Sequence, residues 1–316
     1  MCGIIGRVGD GNAIEPLLTG LENLEYRGYD SAGIAVQNGS GIDIEKRSGK
    51  VEELKESIGE PLRGEVGIGH TRWSTHGPPT DANAHPHTDE SADVAVVHNG
   101  IIENYVELKE RLAANGYEFT SDTDTEVIPH LIQYYLDAGF DSERAFRQAI
   151  SELEGSYAVT AMVSGEHVLY AARQGSPLVV GIEDGEYFLA SDVPAFLEYT
   201  DSVVYLEDGD VVIVDEDGVE FTDLEGNPVT RTPETVEWDP EQAGKGEYDH
   251  FMLKEIHEQP TSLAQALEGR IDPRSGRIAL SEFEPGTFDD VESVQFVACG
   301  TSYHAALYGS LGLNQA

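Results

Sequence analysis

Basic residues are scarce in this chain of 316: 19 Lys and Arg stand against 59 Asp and Glu, a formal net charge of −40. Binding a nucleic acid requires a basic surface that displaces phosphate counterions, so that class is excluded, and docking on anionic lipid is excluded with it. Cysteine is nearly absent. Cys2 and Cys299 are the two in the sequence and stand at its opposite ends, which argues against a disulfide framework and for a soluble, cytoplasmic setting. No basic segment followed by an apolar stretch opens the chain, and no run of about eighteen apolar residues occurs, so neither a signal peptide nor a membrane-spanning helix is expected. Internal repeats and low-complexity tracts are lacking as well.

What is present is a globular pattern. Hydrophobic residues make up 40%, with 14 Tyr and 10 Phe, enough for a substantial core and too many for a disordered acidic chain. The acid is spread over loops and helices instead of being gathered in a tail. Such a chain repels itself at low ionic strength, whereas at molar salt the Debye length falls to about 3 Å and screens the repulsion. A halophilic setting is therefore expected.

The length suits two domains. Apolar runs predict strands at 3–8, 33–37, 65–70 and 93–98, and helical spacing predicts helices at 14–24, 103–115, 125–137 and 141–153. Gly116 and Gly139 are placed to end two of these helices, and Asp141 to cap the last. From 157 to about 220 the texture changes to short β-rich runs with Asp-Gly and Gly-Glu turns (157–163, 167–172, 178–182, 187–190, 203–206 and 211–214). Together these predict a layered α+β domain. The polar stretch 220–246, with Pro228, Pro233 and Pro240, reads as a connector. A helix follows at 251–267 with Pro260 as a break, then a linker between Pro273 and Pro285. The chain closes on a strand at 294–298, a small-residue turn and a helix at 303–313, the way an α/β phosphate-binding domain begins. A single βα unit cannot bury a parallel sheet, so this segment is expected to be the start of a domain.

The chemistry concentrates at the N-terminus. If Met1 is removed, Cys2 acquires a free α-amine whose pKa, roughly 8, lies beside a thiol near 8.5, so the amine can relay the thiol proton without a histidine. Four motifs dense in Gly, Asn, Arg, Asp and His follow: Glu25–Gly33, His70–Gly77, His98–Asn104 and Ser121–Glu126. Three fall where a strand gives way to a loop or helix, the usual place for a site. Taken alone, Asn99-Gly100 is also a favoured hairpin turn and Asp124 a natural N-cap for the helix at 125–137. His70, His76, His85, His87 and His98 crowd one stretch, but their spacing fits no zinc pattern, so hydrogen bonding behind the site is expected of them and no metal is. The sequon at Asn38–Gly39–Ser40 carries no information in a cytoplasmic chain.

The block Cys2–Gly6, Arg27–Gly33, His70–Gly77, Asn83–His87, His98–Asn104 and Thr123–Glu126 resembles the class II glutamine amidotransferases. Within them it is most similar to the branch that aminates fructose 6-phosphate. The resemblance continues through Lys254–Pro260 and Ala298–Tyr303. It implies a four-layer αββα N-terminal-nucleophile hydrolase fold at 2–235, a connector with a helix at 236–290 and, at 291–316, the start of an incomplete sugar-isomerase domain. It implies that Cys2 attacks the carboxamide of L-glutamine, giving a thioester and ammonia. Asn99 and Gly100 would form the oxyanion hole, Arg72 would hold the α-carboxylate, and Asp124 the α-ammonium. Thr75 and His76 lie on the same glutamine-binding loop, and Trp73 would lie beside the ammonia route. Gly300, Thr301 and Ser302 match the first half of a loop for the phosphate of fructose 6-phosphate. No cofactor is implied, and a homodimer is. The alternatives are a phosphoribosylpyrophosphate-type amidotransferase, a non-catalytic glutamine-binding module, and an N-terminal-nucleophile hydrolase of other amides. The paired clamp for a carboxylate and an ammonium speaks against the last, because it asks for a free amino acid.

Overall fold

The computed structural model describes residues 2–39, 41–59, 62–237, 248, 251–267, 270, 287, 291–298 and 300–313. Met1, Ser40 of the sequon, Pro240, the linker between Pro273 and Pro285, and Cys299 lie outside the described residues. The chain divides into two compact units, Met1–Phe251 and Met252–Ala316.

The first unit is built on two antiparallel sheets, with strands numbered in chain order. The larger runs β14 (Glu234–Thr235), β11 (Ser202–Tyr205), β9 (Val179–Glu183), β10 (Glu186–Ala190), β1 (Gly3–Gly9), β4 (Val66–Arg72), β2 (Ser31–Asn38) and β3 (Gly41–Ser48). The smaller runs β13 (Gly218–Thr222), β12 (Val211–Asp215), β8 (Leu169–Gln174), β7 (Gly155–Val163), β6 (Val94–Ile102) and β5 (His87–Thr88).

Side-chain alternation along these strands explains the layering, because successive residues of a strand face opposite sides. Ile4 and Ile68 of the larger sheet meet Ala95, Val97, Ala158 and Met162 of the smaller in a core between the sheets. Their neighbours point outward. Ile5, Ile34 and Val36 pack under α1 (Ile14–Asn23) and α2 (Val51–Ser57). Val94, Val96, Val159 and Ala161 pack under α3 (Tyr105–Ala114), α4 (Val127–Asp137) and α5 (Ser142–Ser151). The result is helices, sheet, sheet, helices: the αββα sandwich that the resemblance implied. The Asp141 carboxylate caps α5 by accepting from the Arg144 N–H at 2.9 Å. Among the described residues no helix is long and apolar enough to cross a membrane.

Four expectations need correction. The stretch 220–246 is not all connector: Phe221 alternates inward from β13 into the inter-sheet core, and Glu234–Thr235 adds an edge strand beside β11. The helix α6 (Phe251–Leu267) runs through Pro260 without a break, although the ring removes one backbone donor. Residues 294–298 form no strand. Val294, Phe296 and Val297 are exposed there, and among the described residues no neighbouring strand offers the hydrogen bonds that extended backbone needs. The last helix, α7 (Gly300–Leu313), starts earlier than expected, so Gly300, Thr301 and Ser302 form its first turn and not a loop ahead of it.

Candidate active site

β1 begins at Gly3, which leaves Cys2 at the open end of a central strand. The register pairs Gly3 with Thr71 of β4, and a Cβ at Gly3 would stand 2.6 Å from Thr71 Oγ1 and 2.8 Å from Leu24 Cβ. Only glycine lets the two strands close there. Cys2 Sγ accepts from the Trp73 N–H at 3.2 Å and lies 3.5 Å from the Trp73 carbonyl. Burial pushes the Cys2 thiol up, while the Trp73 N–H and the Arg72 charge act in the opposite direction. The Cys2 carbonyl accepts from Arg27 Nε at 3.0 Å and from Asn99 Nδ2 at 3.1 Å. Arg27 is held in turn by Asp192 at 2.9 Å, and the Tyr26 hydroxyl donates to the same carboxylate oxygen.

Asn99 and Gly100 do not form a hairpin turn. They continue β6, paired with Ala158 and Tyr157 of β7. The sharp local feature is Gly100, with φ of +129°. A Cβ there would fall 1.9 Å from the Ser156 carbonyl oxygen, so no other residue fits the strand at this point. The Asn99 amide is fixed at both ends, its Nδ2 on the Cys2 carbonyl and its Oδ1 3.0 Å from His70 Nε2.

Asp124 is not the cap of α4, which starts at Val127 with Glu126 at its N-cap position. Its Oδ2 accepts from the Ile102 N–H at 2.8 Å instead, tying the loop before α4 to the end of β6. Glu126 does a similar job, accepting from the Thr120 and Ser121 backbone at 2.7 and 2.8 Å. Asp124 Oδ1 lies 3.9 Å from His76 Nδ1. Arg72 ends β4, and its guanidinium donates to the carbonyls of His76, Gly77 (3.4 Å) and Pro78 (3.3 Å). Both terminal nitrogens are therefore engaged by the 76–78 loop, and a carboxylate at Arg72 must take over bonds that this loop now makes. Trp73 is half exposed and stands edge-on to Tyr29, with ring centres 5.5 Å apart.

These groups surround a cavity of about 370 Å3 whose walls include Cys2, Arg72, Trp73, Thr75, Asn99, Gly100 and Asp124. His76, close to Asp124, is not part of the wall. Arg27, Ile101, Thr123 and Thr125 line the wall from within the sequence motifs, which assigned them no role, and the Gly175-Ser176-Pro177 corner between β8 and β9 had no sequence signal pointing to it. Arg27 lies inside a quoted motif, where the need of a buried carbonyl for a cation partner could have marked it. The corner could not have been found, because it reaches the cavity through sheet topology alone.

Four of the five clustered histidines are packed together at the cavity, His85 and His98 in its wall. His70 stacks on His85 at 4.1 Å, and His85 stands edge-on to His87 at 4.7 Å. His98 Nδ1 meets Thr125 Oγ1 at 2.8 Å, and His87 Nε2 meets Thr123 Oγ1 at 3.0 Å. Burial pushes all four pKa values down, to about 3 at His70 and about 4 at His98. They are neutral at pH 7 and serve as a dry hydrogen-bonding bed for the wall. Among the described residues no group of three or more His, Cys, Asp or Glu is arranged to hold a metal ion. In the second unit, Ser302 is exposed on α7.

An αββα sandwich with a cysteine at the N-terminal end of a central strand, its sulfur accepting from a backbone N–H, is the N-terminal-nucleophile hydrolase fold. Residues 70–198 match the family described as the glutamine amidotransferase domain. More particularly, the chain is 52% identical, over 98% of its length, to the glutamine–fructose-6-phosphate aminotransferase (isomerizing) of Thermus thermophilus, and 50% identical over 98% to that of Methanothermobacter thermautotrophicus. It covers 51% of each, so the chain spans about half the length of these relatives. Among solved structures, the glutamine phosphoribosylpyrophosphate amidotransferase from B. subtilis superposes with a TM-score of 0.62 at 28% identity, over 72% of this chain and 50% of that one.

Proposed function

We propose that the cavity hydrolyses L-glutamine at its side-chain carboxamide. Cys2, freed of Met1, attacks the carbonyl carbon, and its α-amine takes the thiol proton and passes it to the departing ammonia. Asn99 Nδ2 and the Gly100 N–H receive the oxyanion. Water then releases glutamate from the thioester. Arg72 takes the α-carboxylate and Asp124 the α-ammonium, with Thr75 completing that end and His76 acting through Asp124, 3.9 Å away, and Trp73 stands at the exit. The observation that carries this reading is the meeting of Cys2 Sγ, the Trp73 N–H and the Asn99 amide at one wall of a cavity that also holds Arg72 and Asp124.

In the longer architecture of the relatives, the ammonia would aminate fructose 6-phosphate to glucosamine 6-phosphate. On this reading residues 2–235 are the glutaminase domain, 236–290 a connector, and 291–316 the beginning of a sugar-isomerase domain whose Gly300, Thr301 and Ser302 contribute to a phosphate site. The setting is cytoplasmic and salt-rich, and the assembly a homodimer. A phosphoribosylpyrophosphate-type reaction is the second reading. It rests on the shared fold at 28% identity, whereas the fructose-6-phosphate aminotransferases match at about half identity across nearly the whole chain. Incubation with L-glutamine, with L-asparagine as control, tests the proposal. Ammonia and glutamate should form from glutamine alone, and not at all in Cys2→Ala. A chain that binds glutamine without turnover would identify a binding module instead.

A further inference from the structure

Asn99 can serve an oxyanion with only one end of its amide. Nδ2 must face the Cys2 side and Oδ1 must face away, yet the two ends are nearly the same in shape, so packing alone does not choose between them. Their neighbours do. The Cys2 carbonyl, 3.1 Å away, can only accept, which fixes Nδ2 on that side. Oδ1 can then only accept from His70 Nε2, 3.0 Å away, so this nitrogen carries the imidazole proton. The same N–H lies 3.0 Å from the carbonyl of His98. From β4, His70 thus grips the backbone and the side chain of two successive residues on β6.

Packing does not account for this histidine. Its ring is wholly buried, and among the described residues Nδ1 has no partner. A residue kept for volume alone would carry no nitrogen to be left orphaned. The His85 ring against its face, at 4.1 Å, holds the imidazole plane in place.

We infer that His70 is a positioning residue: its Nε2–H holds the Asn99 amide with Nδ2 turned toward Cys2 and so sets the oxyanion donor before substrate arrives. This rests on the reading of Asn99 given above. If the amide turned over, it would present a carbonyl oxygen where negative charge develops.

Three variants of the full chain test it. In His70→Gln the side-chain amide nitrogen reaches the place of imidazole Nε2 and restores a donor. His70→Asn is too short to do so, and His70→Leu has none. Removing an oxyanion donor outright costs about a hundredfold to a thousandfold in turnover, so disordering one should cost roughly tenfold to a hundredfold. That loss is expected in kcat for His70→Asn and His70→Leu, with KM within about twofold, while His70→Gln recovers most of it. Alkylation of Cys2 by iodoacetamide passes through no oxyanion, so its rate should not follow kcat across the three variants. His70→Leu turning over like the wild type overturns the inference, as does His70→Gln losing as much as His70→Asn, or alkylation falling in step with kcat. Should the leucine variant fail to fold, the contrast between His70→Gln and His70→Asn still decides. A wild-type chain that releases no ammonia overturns the underlying reading instead, a result distinct from equal turnover in all variants.

Discussion

The Trp73 N–H points at Cys2 Sγ from 3.2 Å, across the seam where β1 and β4 meet. The same seam brings Arg72 and the 76–78 loop to the mouth of the cavity. It also places a backbone donor on a sulfur that burial would otherwise keep firmly protonated. The sheet thus builds the site.

Asn99→Ala removes the amide donor while leaving β6 paired with β7. The expected result is a fall in kcat of about a hundredfold to a thousandfold with little change in KM. Steady-state ammonia release measures it. A rise in KM at constant kcat would place Asn99 in ground-state binding instead.

Asp124→Asn keeps an oxygen able to accept from the Ile102 N–H but removes the charge. KM for glutamine should rise about tenfold to a hundredfold, the worth of a charge-assisted hydrogen bond, while the melting temperature stays close to wild type. Loss of stability equal to the loss of binding would make Asp124 a structural tie and nothing more.

Acid should unfold the domain through its histidine bed. The folded pKa values lie below the unfolded value near 6.5, at about 3 for His70 and about 4 for His98, because burial disfavours the charged ring. Above pH 6.5 both states hold neutral rings and the contribution to stability is complete. As pH falls below 6.5 the unfolded chain binds protons that the folded one refuses, and each such histidine removes about 1.4 kcal/mol per pH unit until its folded pKa is reached. Urea midpoints between pH 7 and 4.5, taken at molar salt to mute the relief of acid–acid repulsion, should drop steeply. A flat profile would contradict the assignment.

The charge of −40 predicts a salt requirement. Raising KCl from 0.1 to 3 M shortens the Debye length from about 10 Å to below 3 Å and should raise the melting temperature by about ten degrees or more, with turnover rising in parallel. An unchanged melting temperature and full activity in dilute buffer would refute it.

Long periodic elements were legible in the sequence, and so were the motifs that converge on the cavity. What escaped did so for identifiable reasons. β3 carries Asp43 between its two isoleucines and Glu45, Lys46 and Arg47 after them, and is only half buried, so it shows little apolar alternation. α2 has 7 residues and buries only Val51 and Leu54, too short for a helical period to emerge. Asp124 looked like a cap because spacing cannot reveal that the Ile102 N–H lies within its reach. Asn99-Gly100 looked like a turn because dipeptide preference ignores a strand neighbour such as Ser156, whose carbonyl admits only glycine. His70 was grouped with four other histidines, and its distinct contact with Asn99 exists only once β4 and β6 face each other.

The central claim is that Cys2 forms the thioester, and mass spectrometry of the chain quenched during turnover of L-glutamine tests it most directly. The expected result is a chain lacking Met1 with one γ-glutamyl group on Cys2, ammonia release matching its turnover, and neither product in Cys2→Ala. Undiminished ammonia release by Cys2→Ala, or a γ-glutamyl group on any other residue, would contradict it.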